Sequence, residues 1–151
     1  MNKNENLELI AKSWDEFINV AKSVSEFEKP GVVGFWNLRE SLIHVAVWDY
    51  ESMIAVQAYI TKQEKPLYND WSEDKLDALN AEQVNNYQHL SADEVWGLLN
   101  NNHQEMLEFL MQLSDEMFKP DTFTGDTISA ETWQHYQGHK SDIEQFIKNK
   151  G

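Results

Sequence analysis

Three prolines, at positions 30, 66 and 120, set the main constraint on this chain. Proline lacks an amide hydrogen and its ring clashes with the preceding helical turn, so each one stops a helix that would otherwise run through it. The chain is thereby cut into four pieces. The first carries Leu7, Ile10, Trp14, Phe17, Ile18, Ala21 and Val24. Their three-and-four spacing marks one face of a helix, predicted over about 5–29. The second, about 37–61, is apolar nearly all round, with Leu38, Leu42, Ile43, Val45, Ala46, Val47, Trp48, Met53, Ile54 and Val56. A helix without a wide polar face belongs at the centre of a fold. The run VAVW alone would also suit a strand, but the length of the segment favours helix.

Residues 62–90 are less regular. KQEKPLYNDWSED reads as a connection, and Ser72 could cap a short helical stretch through Leu76, Leu79 and Val84. A connection this long between bundle helices is more often functional than idle. Ser91 and Glu94 form a capping box for a third main helix over 91–114. Its inner face holds Val95, Leu98, Leu99, Asn102, Met106, Phe109, Leu110 and Leu113. PDTFTGD reads as a loop. The last helix is predicted over 128–148, with Ile128, Thr132, His135, His139, Ile143 and Phe146 on one stripe. The whole reads as one all-α domain over 1–151, an antiparallel four-helix bundle.

The 151 residues include no cysteine, which excludes disulfides, thiolate metal sites and a cysteine nucleophile. No stretch resembles a signal peptide or a membrane span, so a cytoplasmic protein is expected. The net charge of −14 argues against nucleic acid and anionic membranes as partners.

Chemistry concentrates on histidine. His135 and His139 stand at i and i+4, which puts both imidazoles on one helix face at a spacing suited to a shared metal ion. They also lie on the apolar stripe, and inward imidazoles are costly unless something uses them. A pair of hydrogen-bonded or solvated histidines is the competing reading. His44 sits mid-way along the apolar second helix; alone it would pass for a satisfied core histidine. Its weight comes from the other two, because the second and fourth helices of a bundle can face each other. Three neutral imidazoles leave one coordination position open, the pattern of catalytic metal sites. Neither the H-E-x-x-H motif nor the di-iron Glu-x-x-His signature is present. Glu40 and Glu131 each precede a candidate ligand by four residues and could serve as outer carboxylates, although Glu131 equally suits a solvated helix start. His89 and His103 lie among polar neighbours and read as surface residues. Gly138, inside the last helix, suggests close approach of a neighbouring helix or a ligand.

The run G-F-W-N-L-R-E-S-L-I-H-V-A-V-W-D, Gly34 to Asp49, resembles the second-helix signature of the DinB/YfiT-like superfamily. There a tryptophan precedes the helix and a histidine is followed four residues later by another tryptophan, here Trp36, His44 and Trp48. H-Y-Q-G-H, His135 to His139, resembles that family's last-helix H-x-x-x-H. L-N-A-E-Q-V, S-A-D-E-V and L-S-D-E-M-F follow the family's order, so the resemblance covers nearly the whole chain. It implies a four-helix bundle holding one divalent ion, commonly zinc or nickel, through His44, His135 and His139. It also implies a homodimer, to which exposed aromatics such as Tyr68 and Trp71 would contribute. Relatives include mycothiol-dependent maleylpyruvate isomerase and bacillithiol transferases. The family name derives from a DNA-damage-inducible gene and implies no DNA binding, in line with the charge.

Three functions follow as expectations. The first is a metal-dependent enzyme acting on a small-molecule substrate, with a low-molecular-weight thiol as S-transfer nucleophile or metal-bound water as hydrolytic nucleophile. The second is a non-catalytic bundle that sequesters a small molecule or a metal. The third is a dimeric scaffold with a vestigial site.

Overall fold

A computed structural model describes residues 1–150. Among them are six α-helices: α1 Lys3–Lys22, α2 Leu38–Lys62, α3 Glu73–Asn85, α4 Ala92–Met111, α5 Phe123–Glu131 and α6 Trp133–Lys150. Single 3-10 turns lie at Leu67–Asp70 and Asp115–Phe118. The fold is all-α, a bundle of the four long helices α1, α2, α4 and α6. Among the described residues no helix is long and apolar enough to cross a membrane.

Side-chain caps set most of the helix starts. Asn2, Ser72, Ser91 and Thr122 each accept a backbone N–H from the first turn. The Ser91–Glu94 capping box forms as expected, and Asn37 with Glu40 forms a second one. Each such cap is worth about 1 kcal/mol. Glu40 is therefore engaged at the start of α2, where it also accepts a hydrogen bond from Gln88, and is not an outer carboxylate of His44.

Two helix boundaries differ from expectation. The first helix ends at Lys22, seven residues short of Lys29, where the Ser23 hydroxyl donates to the Val20 carbonyl. The following segment is polar but for Val24 and Phe27, which pack on the core without helix. It then turns through Gly31 (φ 102°) and Gly34 (φ 58°), and the Trp36 carbonyl collects the amides of Gly31, Val32 and Val33. The second difference lies at the C-terminal end. The expected loop PDTFTGD already contains the start of α5, and the expected last helix is two, broken at Thr132 (φ −113°, ψ −100°). Gly125 lets α5 cross the preceding turn: a Cβ there would stand 1.8 Å from the Lys119 carbonyl oxygen. Gly138, by contrast, has open space around it, so close approach of a neighbouring helix does not explain it.

Contacts between helices give their directions. Arg39 donates to the Leu90 carbonyl and Asn102 to the Ala46 carbonyl, so α2 and α4 run parallel. Trp133 reaches Asn6, Gln137 reaches Ser13 and Lys140 reaches Glu16, so α1 and α6 are parallel too. Lys3 meets Met111 and Trp14 meets His103, which sets α1 against α4. His44 faces His139, and Asp49 faces Tyr136, which sets α2 against α6. The order is up, down, down, up. Two consecutive long helices can run parallel only if the chain returns between them, and residues 63–91, with α3, are that return. In the core, Leu42, Ile43, Leu99, Met106, Ile128 and Ile143 are fully enclosed, and α2 is buried without interruption from Ser41 to Asp49.

Candidate metal centre

The apolar sequence of α2 seats it centrally, which brings His44 to face the two histidines of α6. The His44 Nε2 lies 3.1 Å from the His135 Nε2, and the His139 Nε2 lies 2.9 Å from the same atom. One ligand atom from each of the three falls within 4.8 Å of the others. Tetrahedral ligands at zinc distances would stand about 3.3 Å apart. The two pairs that share His135 are thus within a few tenths of an ångström of the separation an ion would set.

Burial holds two of these rings neutral. It is the main cause that lowers the His44 pKa to about 3, with the nearby His139 adding to it. It also places His135 well below the usual histidine range, helped by His139 and His44. Neutral imidazoles are what a cation requires. The third ring is oriented from outside: the His139 Nδ1 lies 3.2 Å from the Asp142 carboxylate. A proton shared there leaves the His139 Nε2 lone pair aimed at the cluster, as in carboxylate–histidine–metal arrangements. The three nitrogens cannot satisfy each other. A single N–H from His135 would have two acceptors, and among the described residues the buried Nδ1 atoms of His44 and His135 have no hydrogen-bond partner. One cation serves all three lone pairs, so the donor set fits a metal.

His44 and His135 open onto a cavity of about 710 Å³. Trp48, Ser52 and Ala55 of α2 form one wall, and Ala130, Thr127 and Phe123 of α5 another. The returning chain closes it with Lys65, Pro66, Tyr68 and Asn69, and α3 contributes Leu76 and Asn80. The Trp48 indole donates to the Asn80 Oδ1 at 2.7 Å and meets the Tyr68 ring edge-on. Tyr68 thus faces inward, and of the two aromatics expected on the surface only Trp71 is exposed. Burial raises the Tyr68 hydroxyl pKa beyond its ordinary range, with Glu51 and Glu131 adding to it. Glu131 lines the cavity as well and is not a solvated helix start: burial, then Asp49, push its pKa up to about 7.

A second polar cluster lies behind α6, and sequence reasoning missed it. His103 is 5% exposed, not a surface residue. Its ring stacks on Trp14 at 3.6 Å, and its Nδ1 lies 3.0 Å from the Tyr136 hydroxyl and 3.4 Å from the Asp49 carboxylate. Tyr136 donates to the Asp49 Oδ1 at 2.7 Å. Burial raises Asp49 above the usual carboxylate range, against the opposing pull of His103 and Tyr136. The signal for His103 was its spacing: it falls between Leu99 and Met106 on the apolar stripe. His89 is exposed, as expected.

Residues 7–139 match the sequence model of the DinB superfamily. No curated protein matches the chain. Solved structures that share its fold include the following three. An uncharacterised protein from Escherichia coli UTI89 is 14% identical with a TM-score of 0.81, the match covering 99% of this chain and 94% of that one. The sibling lethal factor precursor DfsB is 15% identical with a TM-score of 0.82, covering 99% and 97%. The colibactin self-resistance protein ClbS, solved in complex with a dsDNA, is 13% identical with a TM-score of 0.81, covering 97% and 96%. This last structure overturns the exclusion of nucleic acid partners on net charge. The fold is found on duplex DNA, and a charge of −14 summed over the chain says nothing about the potential over one face.

Proposed function

The chain belongs to the DinB superfamily, and on that premise we propose that it is a metal-dependent enzyme whose ion is held by His44, His135 and His139. The observation that carries the reading is the convergence of three Nε2 atoms beside a large cavity. Zinc or nickel suits three imidazoles. The bound ion would supply the Lewis acidity that turns a thiol or a water into a nucleophile at neutral pH. With no cysteine in the chain, a thiol nucleophile comes from a low-molecular-weight cofactor, and S-transfer to a small electrophile is the reaction class.

The protein's own residues have separable tasks. His44 and His135 present neutral nitrogens, and Asp142 orients His139. Trp48, Tyr68 and Phe123 give the substrate an apolar bed, while Asn69 and Asn80 offer hydrogen bonds for its orientation. A second reading, sequestration of a toxic small molecule without turnover, draws on the cavity alone. A volume of about 710 Å³ accommodates a drug-sized compound, more than a minimal electrophile needs. The neighbour named as a self-resistance protein points the same way.

Elemental analysis of purified protein tests the metal. Wild type is expected to hold one equivalent; His44→Ala, His135→Ala and His139→Ala should lose most of it; His89→Ala and His103→Ala should keep it. Equal metal in wild type and His139→Ala would refute the triad. Consumption of chlorodinitrobenzene with a panel of low-molecular-weight thiols, with and without chelator, then separates S-transfer from sequestration. Duplex DNA at physiological salt belongs in the same binding series.

A further inference from the structure

A divalent ion held by three neutral imidazoles keeps its full double charge. Beside a ring as buried as that of His44, such a charge favours an anion close by. Asp142 is engaged with His139 and half-exposed. Asp49 is fully buried but engaged with Tyr136 and His103. Glu131 is different. It lines the same cavity as His44 and His135, it is largely enclosed, and among the described residues it makes no hydrogen bond or ion pair. The cavity's one lysine, Lys65, lies over the Phe123 ring instead.

The backbone explains how the carboxylate arrives there. Gly125 allows α5 to run tight against the Lys119 carbonyl, and α5 ends at Glu131. The chain then breaks at Thr132, whose hydroxyl caps back onto the Ile128 carbonyl. Glu131 and His135 are four residues apart but belong to different helices, so their shared wall is set by the break and not by helical repeat.

We propose that Glu131 is the carboxylate partner of the cation held by the histidine triad, supplying the negative charge that the imidazoles lack. The inference rests on the metal reading above. An unpartnered carboxylate in such a place destabilises the empty protein, which the upward push on its pKa reflects. The same carboxylate favours the loaded protein. These opposite signs separate this role from a structural one.

The test is Glu131→Gln, with Glu131→Asp as the charge-keeping control and Glu105→Gln as an exposed-carboxylate control. Each protein is stripped with chelator, melted without metal at pH 8, and titrated with zinc against a chromogenic chelator. Glu131→Gln should melt higher than wild type when empty, yet bind zinc about 10–100-fold more weakly, the usual size of an outer-partner effect. Glu131→Asp should recover part of the affinity, and Glu105→Gln should match wild type. If Glu131→Gln binds zinc as tightly as wild type, the inference fails alone. If it melts lower when empty, Glu131 is a structural residue and the inference fails as well. If wild type binds no zinc or nickel, both the triad and the inference fall.

Discussion

The buried cluster behind α6 gives the sharpest energetic prediction. Tyr136→Phe removes one oxygen and leaves the ring in its place against Trp14 and Phe17. That oxygen donates to the Asp49 Oδ1 at 2.7 Å and lies 3.0 Å from the His103 Nδ1, with Tyr136 and Asp49 both 0% exposed. The variant leaves a buried carboxyl short of a partner that water cannot replace. A hydrogen bond to a carboxylate contributes about 1.5–3 kcal/mol, so a loss near 2 kcal/mol is expected. For a chain of this length that lowers Tm by about 4–8 °C. Thermal and urea melts of wild type, Tyr136→Phe, Asp49→Leu and the double variant complete a cycle. In the Asp49→Leu background the hydroxyl has lost its main acceptor, so removing it should cost far less and the two effects should not add. Zinc content should stay at the wild-type level, because none of the four groups of the cluster touches the triad. A Tyr136→Phe variant within about 0.5 kcal/mol of wild type, or one whose cost is unchanged when Asp49→Leu is also present, would refute the network as a stabilising unit.

Three further outcomes follow from individual groups. In metal-free protein the folded pKa of Glu131, about 7, stands above the ordinary carboxylate value. The unfolded chain ionises first, so wild type loses stability as pH rises from about 4.5 to 7, by at most about 1.4 kcal/mol per unit from this group. The stability advantage of Glu131→Gln over wild type should therefore grow across that window and vanish below it; an advantage constant with pH would contradict the assigned burial. Gly125→Ala should destabilise by several kcal/mol or abolish folding, since its Cβ would meet backbone at 1.8 Å, whereas Gly138→Ala should stabilise by up to about 1 kcal/mol, as both melts would show. Asn80→Ala removes the acceptor of the Trp48 indole and should change the tryptophan emission spectrum while leaving metal content unchanged; an identical spectrum would place Trp48 elsewhere.

What the sequence made legible is what helical repeat encodes. The four long helices, the Ser91 cap and the pairing of His135 with His139 rest on spacings of three and four residues, whereas the addition of His44 came from facing helices and the family resemblance. What it hid depends on contacts between segments distant in the chain. His103 sits among Asn100, Asn101, Asn102 and Gln104, and this polar company masked its place on the stripe. Glu40 looked like a partner of His44 because both share a helix face. Its actual partner, the Asn37 backbone, lies in the turn before, and a capping box read on asparagine instead of serine went unrecognised. The break at Thr132 has no local marker: neither proline nor glycine stands there, and the apolar stripe runs through it from Ile128 to Ile143. Tertiary packing of α5 across the Lys119 turn decides it.

The same division bears on where the specificity of the proposed site would reside. The three histidines proposed as metal ligands lie on α2 and α6, two of the four long helices of the bundle. The cavity beside them is walled mostly by α5 and by the return chain between α2 and α4. That return exists for a topological reason: α2 and α4 run parallel, and one hairpin turn cannot join parallel neighbours. Once a chain must spend nearly thirty residues on a return, their placement over the open end of the bundle costs little more, and Lys65, Tyr68, Asn69 and Asn80 come to face the cavity. Residues on such a segment carry little of the core, so they can change with modest effect on folding. The three structural neighbours at 13–15% identity keep the bundle. Exchanging residues 63–72 for another sequence of equal length should accordingly leave zinc stoichiometry intact while altering which small molecules bind. Loss of zinc in such a chimera would show that the return chain supports the metal centre itself and not the cavity alone.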